Sequence, residues 1–443
     1  MSDALTAAPP PGPTKPLYTQ LQPRWCGLDR DGVARNQRER LLGAMLEDVG
    51  ERGYERASVN RVVALAGVTK RTLYERFDTQ GERSVKEACF LAAYDHFVDR
   101  AVERIAAAYL SEGNPQRRLC RAFQAFLEEI VAQPNAARAA LVEALGAGPA
   151  ALARMERARV SFEPMIAGSI PDGATLSPMI VKGIVGGVER VTRIYLLDGR
   201  IAEFYSRADE LSTWVCAHQA KPATRLGKGT ARAVPARKGV SRAWVQTSDR
   251  RTRILRATAA IAGTRGYSQL SVGRIIELAD VSHDAFSEYY SGTDECFLGA
   301  LELLCLETLA CVQRASLEGE DWATGVHRGV AALMDHLASD PLLGRLACVE
   351  IFAAGPSAIQ RRTQLIGRFT DLLRRGAPGE KRPTELSADA TVGAIWRIVH
   401  HHVTHGRVQL LPGLVDQIAY MALAPTIGGE AAVRAILSEE RAA

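Results

Sequence analysis

Apolar residues recur along this chain at helical spacing. Leu42, Met45, Leu46 and Val49 fall at i, i+3, i+4 and i+7, a single stripe on a helix predicted over residues 36–51. Gly53 follows, where a left-handed residue ends a helix at least cost. Ser58 stands as an N-cap before a short apolar helix, Val59 to Ala66, which Gly67 breaks after two turns; Thr69 opens another, Lys70 to about Phe77. A short helix, a glycine turn and a second short helix make a helix-turn-helix. Longer amphipathic helices are predicted near 84–110, 115–132, 135–147, 149–168, 177–198 and 201–219, with breaks at Gly113-Asn114-Pro115, Gln133-Pro134, Gly148-Pro149, Pro171-Asp172-Gly173 and Gly199. Strand-like alternation is scarce, so the fold class is all-α.

The pattern then restarts. Gly53-Tyr54, Ser58-Val59 and Leu65-Ala66-Gly67-Val68-Thr69 return as Gly266-Tyr267, Ser271-Val272 and Leu278-Ala279-Asp280-Val281-Ser282, 213 residues later. Further on, Glu143 matches Glu350, Gly148-Pro149 matches Gly355-Pro356, and Gly199-Arg200 matches Gly406-Arg407, now 207 residues apart. The difference, 213 − 207 = 6, is an insertion in copy one between Phe77 and Phe90. A period this long marks domain duplication rather than a solenoid. The expected organisation is a lead-in (1–35), a first head (36–83), a first helical body (84–220), a basic linker (221–248), a second head (249–291) and a second body (292–443).

Composition bounds the class. A chain of 443 residues with 47% hydrophobic and 24% charged residues is long enough for two or three domains with real cores. The net charge of +5 is only mildly basic, so its distribution matters more than its sum. Residues 218–248 carry Lys221, Arg225, Lys228, Arg232, Arg237, Lys238 and Arg242 and no acid, which reads as a solvated tether or as a basic arm on DNA phosphate. The first 20 residues are rich in Pro and Ala, read as disordered, and lack the apolar core of a signal peptide. Without a run of 18 apolar residues, no membrane span is expected, and a cytoplasmic location follows. The eight cysteines, at 26, 89, 120, 216, 296, 305, 311 and 348, make no C-x-x-C pair and lie in apolar helical stretches, as buried reduced thiols would. With no P-loop, nucleophile elbow, H-E-x-x-H or paired catalytic carboxylates, nothing points to an enzyme. Among His400, His401, His402 and His405, the i, i+4 pair His401 and His405 could hold a metal, but no third ligand is evident and copy one has Ile194 and Asp198 there, so no metal or cofactor is expected.

Charge separates the two heads. Leu73 and Phe77 share the face that packs, leaving Lys70, Arg71, Thr72 and Tyr74 turned elsewhere. Such residues suit a helix entering a major groove: Lys and Arg meet phosphates or guanine edges, and Thr and Tyr hydroxyls clamp phosphate. Ser58 caps a helix end that favours an anion, and Lys86 opens the next helix. In copy two the packing positions persist as Phe286 and Tyr290, while Lys70 becomes His283, Arg71 becomes Asp284, Thr72 becomes Ala285 and Tyr74 becomes Ser287. Residues 69–86 hold five bases and three acids, net +2; residues 282–295 hold no Lys or Arg and four acids, net −4. A polyanion should favour the first surface.

The run GVTKRTLYERF after a Ser-capped helix, the preceding Gly-Tyr, and FLAAYD at 90–95 resemble the TetR family of bacterial regulators. The likeness covers both copies, roughly 36–220 and 249–440, and suggests two fused TetR-like units. It implies a three-helix DNA-binding head and a helical ligand-binding, dimerising body in each, working as a repressor. Carried over by position, Ser58, Thr69, Lys70, Arg71, Thr72, Tyr74, Arg76 and Lys86 become the expected DNA contacts, with Ser271, His283, Ser287 and Tyr289 a weaker set on the second head. The implied partners are double-stranded operator DNA and an unidentified small-molecule effector. The family's dimer interface places the last two body helices together, and Gly183, Gly186 and Gly187, with Gly393 and Ala394 in copy two, would let those helices approach closely. Two bodies on one tether could then pair within the chain as a pseudo-dimer, without excluding a further homodimer. Arg138 with Glu143, and Arg345 with Glu350, recur in both copies and read as structural ion pairs ahead of ligand contacts. The competing class is an interaction or sensor module that no longer reads DNA sequence.

Overall fold

The computed structural model describes residues 14–15, 17–20, 29–77, 84–169, 176–218, 220–226, 242–377, 379 and 382–442. Most of the Pro/Ala-rich start, Cys26, the break at Pro171-Asp172-Gly173, residues 78–83 of the inserted stretch, and Lys228, Arg232, Arg237 and Lys238 of the linker lie outside the described residues. Among the described residues every regular element is helical.

The helix-turn-helix positions fall where the pattern predicts. Val59–Ala66 and Val272–Ala279 begin and end at the 213-residue spacing, and Pro178–Leu197 and Glu385–Thr404 at the 207-residue spacing. The first helix differs. It runs Arg30–Arg52 rather than from residue 36, so the end of the lead-in is helical. Its opening turns are too polar to show an apolar stripe, but Asp29 caps them by accepting from Gly32 N at 2.7 Å. Gly53 has φ +88° and ψ 153°: positive φ, as required of a glycine, but extended rather than left-handed helical. Gly67 does take the left-handed helical geometry, and its counterpart Asp280 takes it with a side chain, at φ 53°. The segment predicted as one helix over 135–147 divides into Pro134–Leu141 and a 3-10 turn, Glu143–Gly146. The one predicted over 201–219 divides into Ile201–Ser206 and Ala208–Cys216.

Two compact units emerge. The first comprises residues up to Asp172 with Glu189–Ser212; the second comprises Gly173–Val188 with Thr213–Ala443. In the first, Leu41, Met45, Val62 and Leu73 close the head, and Ile105, Tyr109 and Ala122 pack with Phe126, Phe162 and Met165 in the body. In the second, segments of copy one pack among helices of copy two. A Cβ on Gly186 would lie 2.2 Å from Arg397 Cβ, one on Gly187 2.5 Å from the Ala390 carbonyl oxygen, and one on Gly183 2.5 Å from Met421 Cε. Backbone therefore meets its neighbour where any side chain would clash. Trp214 Nε1 donates to Thr391 Oγ1 at 3.0 Å, and Ser177 Oγ donates to Gln417 Oε1 at 2.8 Å.

Two expectations are qualified by the structure. The stretch Val408–Ile427 is long and apolar enough to cross a membrane by length and composition alone. Here Ile418–Ala424 are buried within the second unit, and a helix packed on all sides is apolar all round. The described cysteines are free, but not all are buried: Cys89, Cys296, Cys305 and Cys348 are, Cys120 and Cys311 are partly covered, and Cys216 is exposed. Burial pushes the Cys89 thiol up to about 12, the inert state of a core cysteine.

Candidate nucleic-acid interface

The first head is built around a buried carboxylate. Asp48, on Arg30–Arg52, is wholly buried and accepts from Ser58 N at 3.0 Å, while its other oxygen lies 2.7 Å from Arg61 Nε. Ser58 Oγ in turn accepts from Arg61 N at 3.4 Å. One acid thus fixes the start of Val59–Ala66. Thr69 Oγ1 caps the recognition helix Lys70–Arg76 by accepting from Thr72 N at 3.2 Å, and Leu73 and Phe77 are buried beneath it. Arg38 seals the far end, its guanidinium 4.8 Å over the Phe77 ring and donating to the Arg76 carbonyl at 3.3 Å.

Of the expected contacts, Ser58, Thr69, Lys70, Arg71 and Tyr74 face outward. Tyr74 is 57% exposed, unusual for so large an apolar ring. The Arg71 side chain is 88% exposed and pairs with Glu75 at 2.8 Å; that hydrogen bond, and then the charge, raise its pKa. Thr72 is half-buried, with its hydroxyl 3.0 Å from that of Thr69. Two of the expected contacts are held differently. Arg76 is half-buried and donates to Gln37 Oε1 at 3.3 Å, tying the recognition helix to the first helix. Lys86, on Val85–Leu110, donates to the Glu55 carbonyl at 3.2 Å and lies 4.6 Å over the Tyr54 ring; burial lowers its pKa.

The second head keeps the frame. Ser271 Oγ accepts from Arg274 N at 3.4 Å and Ser282 Oγ from Ala285 N at 3.2 Å, while Phe286 and Tyr290 are buried. Asp48 has become Ile261, and Arg274 turns to the Gln269 carbonyl at 2.7 Å. The outward residues include Ser271, Arg274, Ser282, His283, Asp284, Ser287, Glu288 and Tyr289, with Ser287 Oγ 3.3 Å from His283 Nδ1. Two of this head's acids have structural roles: Asp294 accepts from the Tyr267 hydroxyl at 2.7 Å, and Glu295 from Ser291 N at 2.9 Å. Its exposed bases stand off the recognition helix: Arg250, Arg251 and Arg265 on the first helix, with Arg251 donating to the Tyr290 hydroxyl at 3.2 Å, and Arg274 on the second. A reading confined to the recognition helix misses them.

Each head is tied to its own body in the same way. Glu350 accepts from Tyr267 N at 2.8 Å and lies 3.5 Å from Arg345; Glu143 accepts from the backbone N–H of Tyr54 and lies 3.5 Å from Arg138. Burial raises the Glu143 pKa, opposed by Arg138. Both pairs are structural, as expected, and they face the residue after Gly53 or Gly266. Beside them a Cβ on Gly50 would lie 2.1 Å from the Asn135 carbonyl oxygen, and one on Gly263 2.5 Å from Leu342. These glycines recur at the 213-residue spacing, a signal available in the sequence but weaker than the motif beside it.

Residues 42–93 match the family model described as bacterial regulatory proteins, tetR family. No curated protein matches the chain. Similar solved structures include the fatty acid degradation regulator FadR from Bacillus halodurans, at 16% identity and a TM-score of 0.36, covering 40% of this chain and 96% of that one. The transcriptional regulator FadR from Bacillus subtilis, in complex with stearoyl-CoA, is similar at 13% identity and a TM-score of 0.35, covering 40% and 96%. A TetR-like transcriptional regulator from Rhodococcus sp. RHA1 is similar at 21% identity and a TM-score of 0.32, covering 42% and 96%. The stretch 42–93, which holds the helix-turn-helix of the first head, is thus similar to the tetR family of bacterial regulatory proteins.

Proposed function

We propose that this chain is a ligand-responsive repressor that reads double-stranded operator DNA mainly through its first head. One observation carries the reading: Lys70, Arg71 and Tyr74 project from one recognition helix where His283, Asp284 and Ser287 project from the other, on the same buried frame. Cations at such a surface release counterions from DNA and meet base edges; Asp284 and Glu288 oppose both effects. The two copies pair within the chain as a pseudo-dimer. Supporting this, Gly183, Gly186 and Gly187 of copy one approach Met421, Arg397 and Ala390 of copy two inside one compact unit. The linker keeps the two bodies at high effective concentration. An effector taken into a body shifts the spacing of the heads away from one helical turn of DNA and releases the operator.

The test uses the full chain and a duplex selected from random sequence. Lys70→Ala with Arg71→Ala is expected to weaken binding by at least about 100-fold, while Asp284→Arg leaves it unchanged or slightly tighter. Equal loss from disrupting either head would overturn the asymmetry. Sedimentation of the free protein should give the mass of one chain, and a stable dimer would count against the internal pairing.

A further inference from the structure

We propose that Thr14 and the turn Leu17–Gln20 form a strap that ties the first head to its own body and holds it in the orientation from which it meets DNA. The strap's effect on affinity rests on the DNA reading just proposed; its attachment to head and body does not. One end is fixed on the body. Thr14 N and Thr14 Oγ1 both donate to the Ala132 carbonyl, at 3.1 and 2.9 Å, and Gln133 Nε2 donates to Thr14 Oγ1. Ala132 ends the helix Pro115–Ala132 and Gln133 precedes Pro134–Leu141, so this contact lies at a corner between two body helices. The other end lies on the head, where Leu17–Gln20 packs on Arg30–Arg52 and Val59–Ala66. Tyr18 is half-buried there. Burial raises its pKa, as do Glu47 and Glu51, while Arg61 lowers it, which sets the ring beside all three. Arg61 is also the residue that meets Asp48 and Glu51, at 2.7 and 2.6 Å, and Asp48 in turn fixes Ser58. The strap therefore lies against the ion pairs that seat the first helix of the motif. Thr14, Lys15 and Thr19 are exposed, and a surface segment of this kind opens without global unfolding.

Copy two has exchanged the residues that make this attachment. At the 213-residue spacing Glu47, Asp48, Glu51 and Arg61 become Ala260, Ile261, Thr264 and Arg274; at the 207-residue spacing Gln133 and Asn135 become Asp340 and Leu342. In copy one Asn135 Nδ2 also donates to Glu47 Oε1, at 2.7 Å beside the strap's seat, and Leu342 and Ala260 cannot form that bond. Among the described residues, Ala260, Ile261, Thr264 and Arg274 line an open recess of about 450 Å³. The turn ahead of the second head, Arg242–Val245, packs one helical turn nearer the start of that head's first helix. There the Arg256 guanidinium lies 5.3 Å over the Trp244 ring and donates to the Trp244 carbonyl at 3.1 Å. Residues 230–233, which match Leu17–Gln20 in register, lie outside the described residues. The attachment built from Thr14, Tyr18, Gln133 and Asn135 thus belongs to the copy whose recognition helix is basic. A reader already held in one orientation gives up less freedom on docking than one that swings.

The experiment compares amide hydrogen exchange of the full chain, without DNA, with that of a chain lacking residues 1–20. Exchange across Val59–Ala66 should rise by at least about tenfold with helical circular dichroism unchanged, while Val272–Ala279 keeps its protection. Tyr18→Ala and Gln133→Ala loosen opposite ends of one strap. Each should raise exchange across Val59–Ala66, and the two together should do no more than the stronger alone, because both open the same contact. Operator affinity of the shortened chain should fall by about three- to tenfold. Unchanged exchange across Val59–Ala66, an equal rise across Val272–Ala279, or additive effects of Tyr18→Ala and Gln133→Ala would overturn the strap, and undiminished operator affinity would overturn its positioning role. Failure of the intact chain to bind DNA would fault the DNA reading instead, with the strap still decided by exchange.

Discussion

Two heads in one chain are built by the same rules and display opposite chemistry. Each has a serine cap on its second helix, a hydroxyl cap on its third, and two buried side chains that seat the third helix: Leu73 and Phe77 in one, Phe286 and Tyr290 in the other. These positions determine the fold, because an uncapped helix end or an unfilled core position destabilises it. The outward positions carry no such constraint, so Lys70 and Arg71 can stand where the twin has His283 and Asp284 without altering the frame. Within a duplicated motif, buried and capping residues report architecture, and exposed residues report what the copy does.

The severest test transplants one surface onto the other. Lys70→His, Arg71→Asp, Thr72→Ala and Tyr74→Ser give the first head its twin's residues. The expected loss of operator affinity is roughly 1000-fold, with little change in melting temperature because Leu73 and Phe77 stay in place. A protein that still binds DNA after this exchange would show that the second helix of the motif is not the reader.

The bodies differ at His218, whose counterpart in copy two is Pro425. His218 is buried in the second unit, its ring nitrogens 3.3 Å from the carbonyls of Val215 and Met421, its ring edge-on to Trp214. Burial lowers its pKa from 6.5 to about 4, outweighing the pull of those carbonyls. Between these values the unfolded chain binds a proton that the folded chain does not. Stability is therefore full above pH 6.5 and is lost as pH falls toward 4, by roughly 3 kcal/mol. Denaturant unfolding across that window checks it. His218→Gln should flatten the profile, and an unchanged acid slope in that variant would assign the loss to other groups.

Where the heads join their bodies, the copies should behave alike. Glu143→Ala and Glu350→Ala each strip a half-buried backbone N–H of its acceptor, at Tyr54 and Tyr267, and each should lower stability by about 1–3 kcal/mol in thermal unfolding. Glu143→Ala should also weaken operator binding, and Glu350→Ala much less, if the first head is the main reader of DNA as proposed. Comparable weakening from Glu350→Ala would give the second head an equal share.

The heads and most body helices were legible because their signals are local: a cap, a glycine, an apolar stripe, and a second copy to check them against. The long Arg30–Arg52 helix was legible only in part, because its first turns are polar on every face and only Asp29 marks its start. Less legible were contacts across tens of residues. Arg76 reads as a free base in the motif, yet it is held by Gln37; Lys86 reads as an arm to the backbone, yet it covers Tyr54. Asp48 shows no special pattern in its helix, although it holds Ser58 and Arg61. A side chain's neighbours from another helix leave no periodicity in its own.

The smallest expected effect is the most discriminating for charge. Glu75 and Glu288 are matched acids, but only Glu75 has an arginine to hold, Arg71 at 2.8 Å. To meet a phosphate, Arg71 must exchange that partner. A surface pair of this kind is worth little and weakens with salt. Glu75→Gln removes both the competitor and a negative charge near DNA, so affinity should rise by roughly two- to fivefold at low salt, with the gain shrinking as salt screens it. Glu288→Gln removes the same charge from a head proposed to read DNA weakly, and should leave affinity nearly flat. Titration of both variants at two salt concentrations separates the cases, and equal tightening from the two would place both recognition helices at the same distance from the DNA backbone.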